Sequence, residues 1–394
     1  MKIALDAMGG DFSPQNPVAG AVQALRDFPD IELILVGDEE KIRAELCKHN
    51  TAGIESRLSF HHASQVVDMT DNGLDSVRRK KDSSISRAVD LVKDGQAAAV
   101  VSAGHTGALV AAATIKLRTL PGIDRAGLGV LIPAEGGVFL LIDGGANIDP
   151  SPKHIVGFAV MGSVYYQAVV GGNRARVGLL NIGTEPGKGT EFCLQCHELL
   201  QSAPIAFAGN VEGHGIFKKP VEVVVCDGFT GNIFLKTIEG LAKSMVGWIK
   251  DELKKSPIRM AGALLSKGAF DAVKARTSTD EYGGTPLLGV NGICIKAHGN
   301  SSVRALRNAI RAARTAIEQN INTRIVEAMQ PLMNMITFSA RSREKIIGFH
   351  TQIADALEAH DAKTVDTTLA ALAAYTNELA QNVINARAAA RQAN

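Results

Sequence analysis

The 394-residue chain has one tryptophan, five cysteines, 5% aromatic residues and little surplus of either charge. Each shortage excludes something. Cys47, Cys193, Cys196, Cys226 and Cys294 are an odd set scattered along a long sequence, which argues against a disulfide scaffold and for reduced thiols in a cytoplasm. With 42 basic against 40 acidic residues the formal charge is +2, too small for a nucleic-acid footprint spread over the surface, so no nucleic acid is expected as a partner. Any charged partner must be met by a local patch. Asp6 cuts off any apolar run at the start after three residues, so no secretory signal is visible. The longest apolar stretch, AAAVVSAGHTGALVAAATI from Ala97, is broken by a polar Gly-rich turn and reads as strand, loop and helix rather than a membrane span. HExxH, paired CxxC and clustered carboxylates are missing, and no metal or other cofactor is expected.

What is present is a globular composition, 46% hydrophobic with 39 glycines and a mean hydropathy of +0.07. At ~150 residues per domain the length fits two or three domains, or one large domain with an added subdomain. One unit recurs along it: a β-branched run, a Gly-containing polar loop, then helical periodicity. The unit appears in IELILVGDEE, AAAVVSAGHTGAL, VFLLIDGGANI, RVGLLNIGTEPGKG, VEVVVCDGFTGN and GICIKAHGNSS. Apolar strands alternating with helices predict an α/β fold, a mainly parallel sheet with helices on both faces. The loops that follow the strands then gather at one edge, where open α/β sheets bind ligands.

Those loops carry the candidate chemistry. Ser102, Gly104, His105, Thr106 and Gly107 lie between a strand and an Ala-rich helix, where glycines admit a ligand and free N–H groups attract an anion; a purely steric role for the glycines is the alternative. The segment Gly183 to Gly189 resembles a Walker A loop, but it is one residue short and Gly189 stands where a magnesium-binding Ser or Thr is needed, which rejects nucleotide hydrolysis. Lys188 in that turn is either an anion holder or a solvated turn lysine. Cys193-Leu-Gln-Cys-His197 matches the CxxCH haem pattern, yet it falls in a segment of helical character from Thr190 to Ser202, so its residues are expected to be ordinary helix positions. Asp227 to Asn232 and Lys296 to Asn300 each follow a strand and offer a carboxylate, an amide, an amine and the imidazole of His298.

Three longer patterns complete the reading. Ile233, Ile238, Leu241, Met245 and Ile249 fall at helical spacing through about Lys255, and Ser256 to Arg276 mixes apolar residues with Arg259, Lys267, Lys274 and Arg276. That basic amphipathic stretch is either a buried subdomain or dimer contact, or a segment lying on an anionic membrane. Arg78, Arg79, Lys80 and Lys81 form a solvated face or a docking patch for acidic protein or phosphate. A helix with Val303, Leu306, Ile310 and Ile317 on one face is expected from Val303 to about Met329, and after Pro331 the chain becomes Ala-rich and reads as two or three added helices.

DAMGGD from Asp6, VRRKKDSS from Val77, SAGHTGAL from Ser102, GANIDPSPKH from Gly145, MGSVYYQ from Met161, GLLNIGTEPGKGTE from Gly178, DGFTGNIFLKTIEG from Asp227, YGGTPLLG from Tyr282 and KAHGNSS from Lys296 resemble the bacterial acyl-acyl-carrier-protein:phosphate acyltransferases, in family order from residue 1 to about 325. The resemblance implies attack of inorganic phosphate on a fatty acyl-acyl carrier protein thioester, giving acyl phosphate for phospholipid synthesis. It also implies a fold similar to isopropylmalate dehydrogenases and phosphotransacetylases, a homodimer, and a peripheral position on the inner face of the membrane near the glycerol-3-phosphate acyltransferase that uses acyl phosphate. Alternatives are a coenzyme A-dependent phosphotransacylase, a dehydrogenase on the related fold, and a non-catalytic membrane scaffold for acyl carrier protein. On this reading 1–325 is the acyltransferase domain, 251–281 its amphipathic tip and 326–394 a helical extension.

Lys188, Asn232, His298 and Lys296 are the expected catalytic set: Lys188 with Thr184 and the SAGHTG backbone for phosphate, Asn232 for the oxyanion, His298 or Lys296 for the leaving sulfur. Asp6, Gly9, Gly10, Ser102, Gly104, His105, Thr106, Gly107, Asp143, Asn147, Thr184, Glu185, Asp227, Thr230 and Gly231 are expected to bind phosphate or substrate, and Arg78 to Lys81 to dock the acidic carrier protein. Two departures stand out. His105 occupies the place of the family's usual Asn in SAGNTG. From about Ile325, and most clearly from Phe349, the tail is similar to the last helices of the ligand-binding domain in GntR-type regulators.

Overall fold

The computed structural model describes residues 1–68, 70–277 and 283–375. Tyr282, the last residues of the 251–281 tip and the end of the GntR-like tail lie outside the described residues. The chain divides into two compact units, Met1–Ala328 and Met329–Asn394. In the first, strands β1 (Lys2–Asp6), β2 (Glu32–Gly37), β3 (Leu58–His62), β4 (Ala99–Ser102), β5 (Gly127–Leu128), β6 (Val130–Ala134), β7 (Gly137–Ile142), β8 (Arg176–Asn181), β9 (Ala206–Glu212), β10 (Val223–Val225), β11 (Thr285–Leu288) and β12 (Ile293–Lys296) build two sheets. The helices are α1 (Gln15–Asp27), α2 (Glu39–Leu46), α3 (Gly73–Arg79), α4 (Ser84–Lys93), α5 (Thr106–Lys116), α6 (Pro152–Val169), α7 (Glu191–Ser202), α8 (Gly228–Lys254), α9 (Pro257–Leu265), α10 (Lys267–Thr277) and α11 (Val303–Glu318), followed by α12 (Ile321–Glu358), which runs on past Ala328.

One sheet has the order β3-β2-β1-β4-β12-β11-β5 and the other β6-β7-β10-β8-β9. Pairings are parallel from β3 through β12 and from β7 through β9; β11 and β6 pair antiparallel. Each β-branched run in the recurring unit became a strand because both of its faces are covered. On β1, Ile3 and Leu5 pack with Val18, Leu25, Leu306 and Ile310 from α1 and α11, while Ala4 faces Val89 and Leu109 from α4 and α5. Burying one such Leu or Ile stabilises by about 2 kcal/mol.

The sequence suggests one mainly parallel sheet, and the structure has two. The chain leaves β5 at the edge of the first and enters β6 at the edge of the second through the single residue Gly129. A Cβ there would press on Leu140 and Leu288 at 3.3 and 3.4 Å. β5 has only two residues, and β5, β6 and β11 lack the strand-loop-helix signature, so their pairing could not be read from pattern. The helix expected from Val303 to about Met329 also breaks: α11 ends at Glu318, Asn320 adopts a left-handed φ of 49°, and α12 then runs through Pro331. Within the second unit, helical backbone at 362–375 returns Tyr375 to α12, where its hydroxyl donates to Ser342 Oγ at 3.2 Å and its ring lies 6.0 Å from Phe349.

Candidate active site

The adjacent strands β1, β4 and β12 deliver DAMGGD, SAGHTG and KAHGN to the same edge of the first sheet. The loops are interlocked. Asp11 N–H donates to Gly299 O at 2.8 Å and Asn16 Nδ2 to Ser301 O at 2.9 Å. A Cβ on Gly9 would stand 2.5 Å from Asp6 Oδ2 and 2.6 Å from Gly104 N, so only glycine lets the two turns touch. Beneath them Asp6 is fully buried, accepting from Ser102 Oγ at 2.6 Å while that hydroxyl takes Gly104 N–H at 3.0 Å. Burial raises the Asp6 carboxyl above its ordinary value against the pull of Ser102, Ser84 and Lys296. The same burial lowers the Lys296 amine to about 8, with the Asp6 charge opposing it. Lys296 Nζ also donates to Ala297 O.

His105 takes the N-cap of α5 and its Nδ1 accepts Ala108 N–H at 3.1 Å, the bond an asparagine oxygen would make there. Thr106 and Gly107 follow in the first turn, where backbone N–H groups lack helical acceptors.

On the second sheet, β7 and β10 are neighbours and their loops form one knot around Asp143. This buried carboxylate accepts from the N–H groups of Leu128, Gly145, Ala146 and Asn147 and from Asn147 Nδ2, at 2.7 to 3.2 Å. Burial raises its pKa, opposed by those donors. Gly228 N–H donates to Asn147 O at 2.7 Å, and a Cβ on Gly231 would run into Asp143 O. Asp227 caps α8 by accepting Thr230 N–H at 2.8 Å and Thr230 Oγ1 at 2.7 Å. Of the residues expected at the ligand, Asp6 and Asp143 tie neighbouring loops together through these bonds, and Asp227 and Thr230 form the cap of α8.

The two loop systems face one cleft of about 1970 Å³, well above the few hundred Å³ that suffices for a small metabolite. Thr106, Gly107, Asn147, Asn232, Lys296 and His298 all line it. Lys188, Thr184 and Glu185 do not. They lie on the exposed loop after β8, one strand further along the same edge from β10. Its apolar wall includes Val110 and Ile115 from α5, Leu128 and Val130, and Leu235 and Met245 from α8. Arg125, Lys219, Lys236, Lys243 and Lys296 line it against Asp124, Glu135 and Glu239, a surplus of positive charge suited to an anion.

Glu239, Lys236 and Lys243 were missed in the sequence, although they stand seven, four and eleven residues after Asn232 and so share its helix face. Glu239 Oε1 lies 3.2 Å from His298 Nε2, and this hydrogen bond lowers the glutamate pKa. In the basic run, Arg78, Arg79 and Lys81 are exposed, whereas Lys80 donates to Asp71 Oδ2 at 2.6 Å and Val66 O at 2.9 Å. Among the described residues no group of three or more His, Cys, Asp or Glu could hold a metal ion, and no helix is long and apolar enough to cross a membrane.

A family model described as fatty acid synthesis protein matches residues 1–324. A phosphate acyltransferase from Akkermansia muciniphila is 50% identical over 84% of this chain and 97% of its own, and one from Geobacter sulfurreducens is 46% identical over 84% and 94%. The chain belongs to the phosphate acyltransferase family. Among solved structures, a phosphotransacetylase from Streptococcus pyogenes has a TM-score of 0.54 at 20% identity, covering 81% of this chain and 94% of its own, and the EutD phosphotransacetylase from Staphylococcus aureus has 0.51 at 16%, covering 80% and 94%. These show the fold, as the sequence resemblance implied. The family match spans the acyltransferase blocks and stops short of the C-terminal unit.

Proposed function

We propose that the cleft transfers a fatty acyl group from acyl-acyl carrier protein to inorganic phosphate, releasing acyl phosphate and the carrier thiol for phospholipid synthesis. What carries the reading is the convergence of loops from both sheets on one cleft that joins an apolar wall to a cationic, N–H-rich floor. A phosphate oxygen attacks the thioester carbon, the carbonyl oxygen becomes negative, and the carbon–sulfur bond breaks with the proton supplied to sulfur. A thiolate leaves readily, so positioning and electrostatics suffice. Asn232, one turn into α8, donates to the oxyanion. The N–H groups of Thr106 and Gly107 hold phosphate in the cleft, and the loop bearing Lys188 and Thr184, beside the cleft and outside its lining, supplies further charge to it. Lys296, or His298 held by Glu239, protonates the sulfur.

In this reading residues 1–325 are the acyltransferase domain and 326–394 a helical extension. Arg78, Arg79 and Lys81 dock the acidic carrier protein. The exposed apolar residues of α8 to α10, among them Trp248 at 63%, Ile258 at 84% and Leu265 at 90%, are covered in a homodimer or against the inner face of the cytoplasmic membrane, close to the glycerol-3-phosphate acyltransferase. The test is thiol release from long-chain acyl-acyl carrier protein with and without phosphate, and from acyl-coenzyme A in parallel. Release that requires phosphate and favours the carrier protein supports the proposal; preference for acyl-coenzyme A, or carrier binding without phosphate consumption, overturns it.

A further inference from the structure

The loop Gly183 to Gly189 is exposed apart from Gly183, so something must fix where it holds Lys188. Two of its carbonyl oxygens are tied to other elements. Lys188 O accepts from Asn181 Nδ2 at 2.9 Å, and Glu185 O accepts from Asn210 Nδ2 at 2.7 Å. Asn210 is only 6% exposed. It reaches inward because β9 is irregular: the register passes from Val177↔Phe207 to Gly178↔Gly209, skipping Ala208, and Gly209 has a φ of +97°. Such a bulge re-aims the side chains beyond it, and here Asn210 and Val211 are buried in succession.

With its amide N–H committed to Glu185, Asn210 can only accept at Oδ1, and the atom facing it at 3.1 Å is Nδ1 of the buried His197. His197 must therefore carry a proton on Nδ1. Its Nε2 then accepts from Gln201 Nε2 at 3.2 Å, and the Phe207 ring packs edge-on with centroids 5.1 Å apart, fixing the imidazole plane. Cys196, beside it in the sequence, is buried with its thiol pushed up to about 12, which leaves the CxxCH pattern without a reactive thiolate at that position. The histidine has a different use.

We infer that His197 is a positioning residue for the acyl transfer: through Asn210 it fixes the Glu185 carbonyl, and hence the loop from which Lys188 meets inorganic phosphate. The inference rests on the reading that this loop holds phosphate. Displacing an anion-holding group by about 1 Å costs up to roughly a hundredfold in efficiency, whereas loss of general packing affects stability first.

The test is steady-state acyl transfer with inorganic phosphate varied at saturating acyl-acyl carrier protein. His197→Leu and Asn210→Ala are expected to raise the KM for phosphate roughly tenfold while kcat stays within about twofold. His197→Asn, whose amide nitrogen replaces Nδ1 as the donor, is expected to restore a near-native KM. The double variant of His197→Leu with Lys188→Ala is expected to be no worse than Lys188→Ala alone. If Lys188→Ala is impaired while His197→Leu and Asn210→Ala keep the native KM, the inference is overturned and the loop's role survives. If Lys188→Ala behaves as the native protein, the loop's phosphate role falls, and unchanged backbone hydrogen exchange at 183–189 in folded His197→Leu or Asn210→Ala would remove the relay as well.

Discussion

At the scale of the residue, the site separates groups that touch the cleft from groups that hold them there. Lys296 is the sharpest case, because burial lowers its amine to about 8 and so makes it a better proton donor than a solvated lysine. The sign follows from its charge: the ammonium can donate below that pH and is lost above it. Turnover is expected to fall as pH rises through about 8, and Lys296→Met to be roughly a hundredfold slower near pH 7 and to lose that alkaline limb. A native alkaline limb retained in the variant would transfer the role to His298. Asn232→Ala is expected to cost about a hundredfold in kcat with little change in KM, as removal of an oxyanion donor does elsewhere. Sequence reasoning found these residue types because each lies at a strand end or in the Gly-rich segment just after it. It could not tell Asn232, which faces the cleft, from Asp143, whose oxygens accept backbone N–H groups and the Asn147 amide, or Asp227, which accepts the N–H and hydroxyl of Thr230. The partners of a carboxylate are a tertiary fact.

Among the elements, the recurring strand-loop-helix unit was legible because its apolar runs are buried on both faces, as Ile3 and Ala4 of β1 show on opposite sides. The division into two sheets was not, since it depends on the two-residue strand β5 meeting β6 at Gly129. Close approach of elements sets the next expectation. Gly231→Ala would press the first turn of α8 onto Asp143 O and should destabilise by about 3 kcal/mol, measured by denaturant unfolding. At α5 the cap made by His105 predicts a loss of about 1 kcal/mol for His105→Ala and near-native stability for His105→Asn, because an amide oxygen can accept the Ala108 N–H equally well.

For the whole molecule, charge acts through local patches rather than a global field, as a net charge of +2 implies. Reversing Arg78, Arg79 and Lys81 to Glu together is expected to raise the KM for acyl carrier protein more than tenfold and to flatten its dependence on salt, while Lys80→Glu, which breaks the pair with Asp71, lowers stability as well. The account turns on where the two substrates lie. The most direct measurement is a crystal structure of the full chain with inorganic phosphate and a non-cleavable acyl-pantetheine analogue. Phosphate within hydrogen-bond reach of the Thr106 and Gly107 N–H groups, with the analogue's carbonyl oxygen on Asn232 and its acyl chain along Leu235 and Met245, is the predicted result. Phosphate bound away from both this cleft and the adjoining Lys188 loop, or an acyl chain lying outside the cleft, would contradict the account.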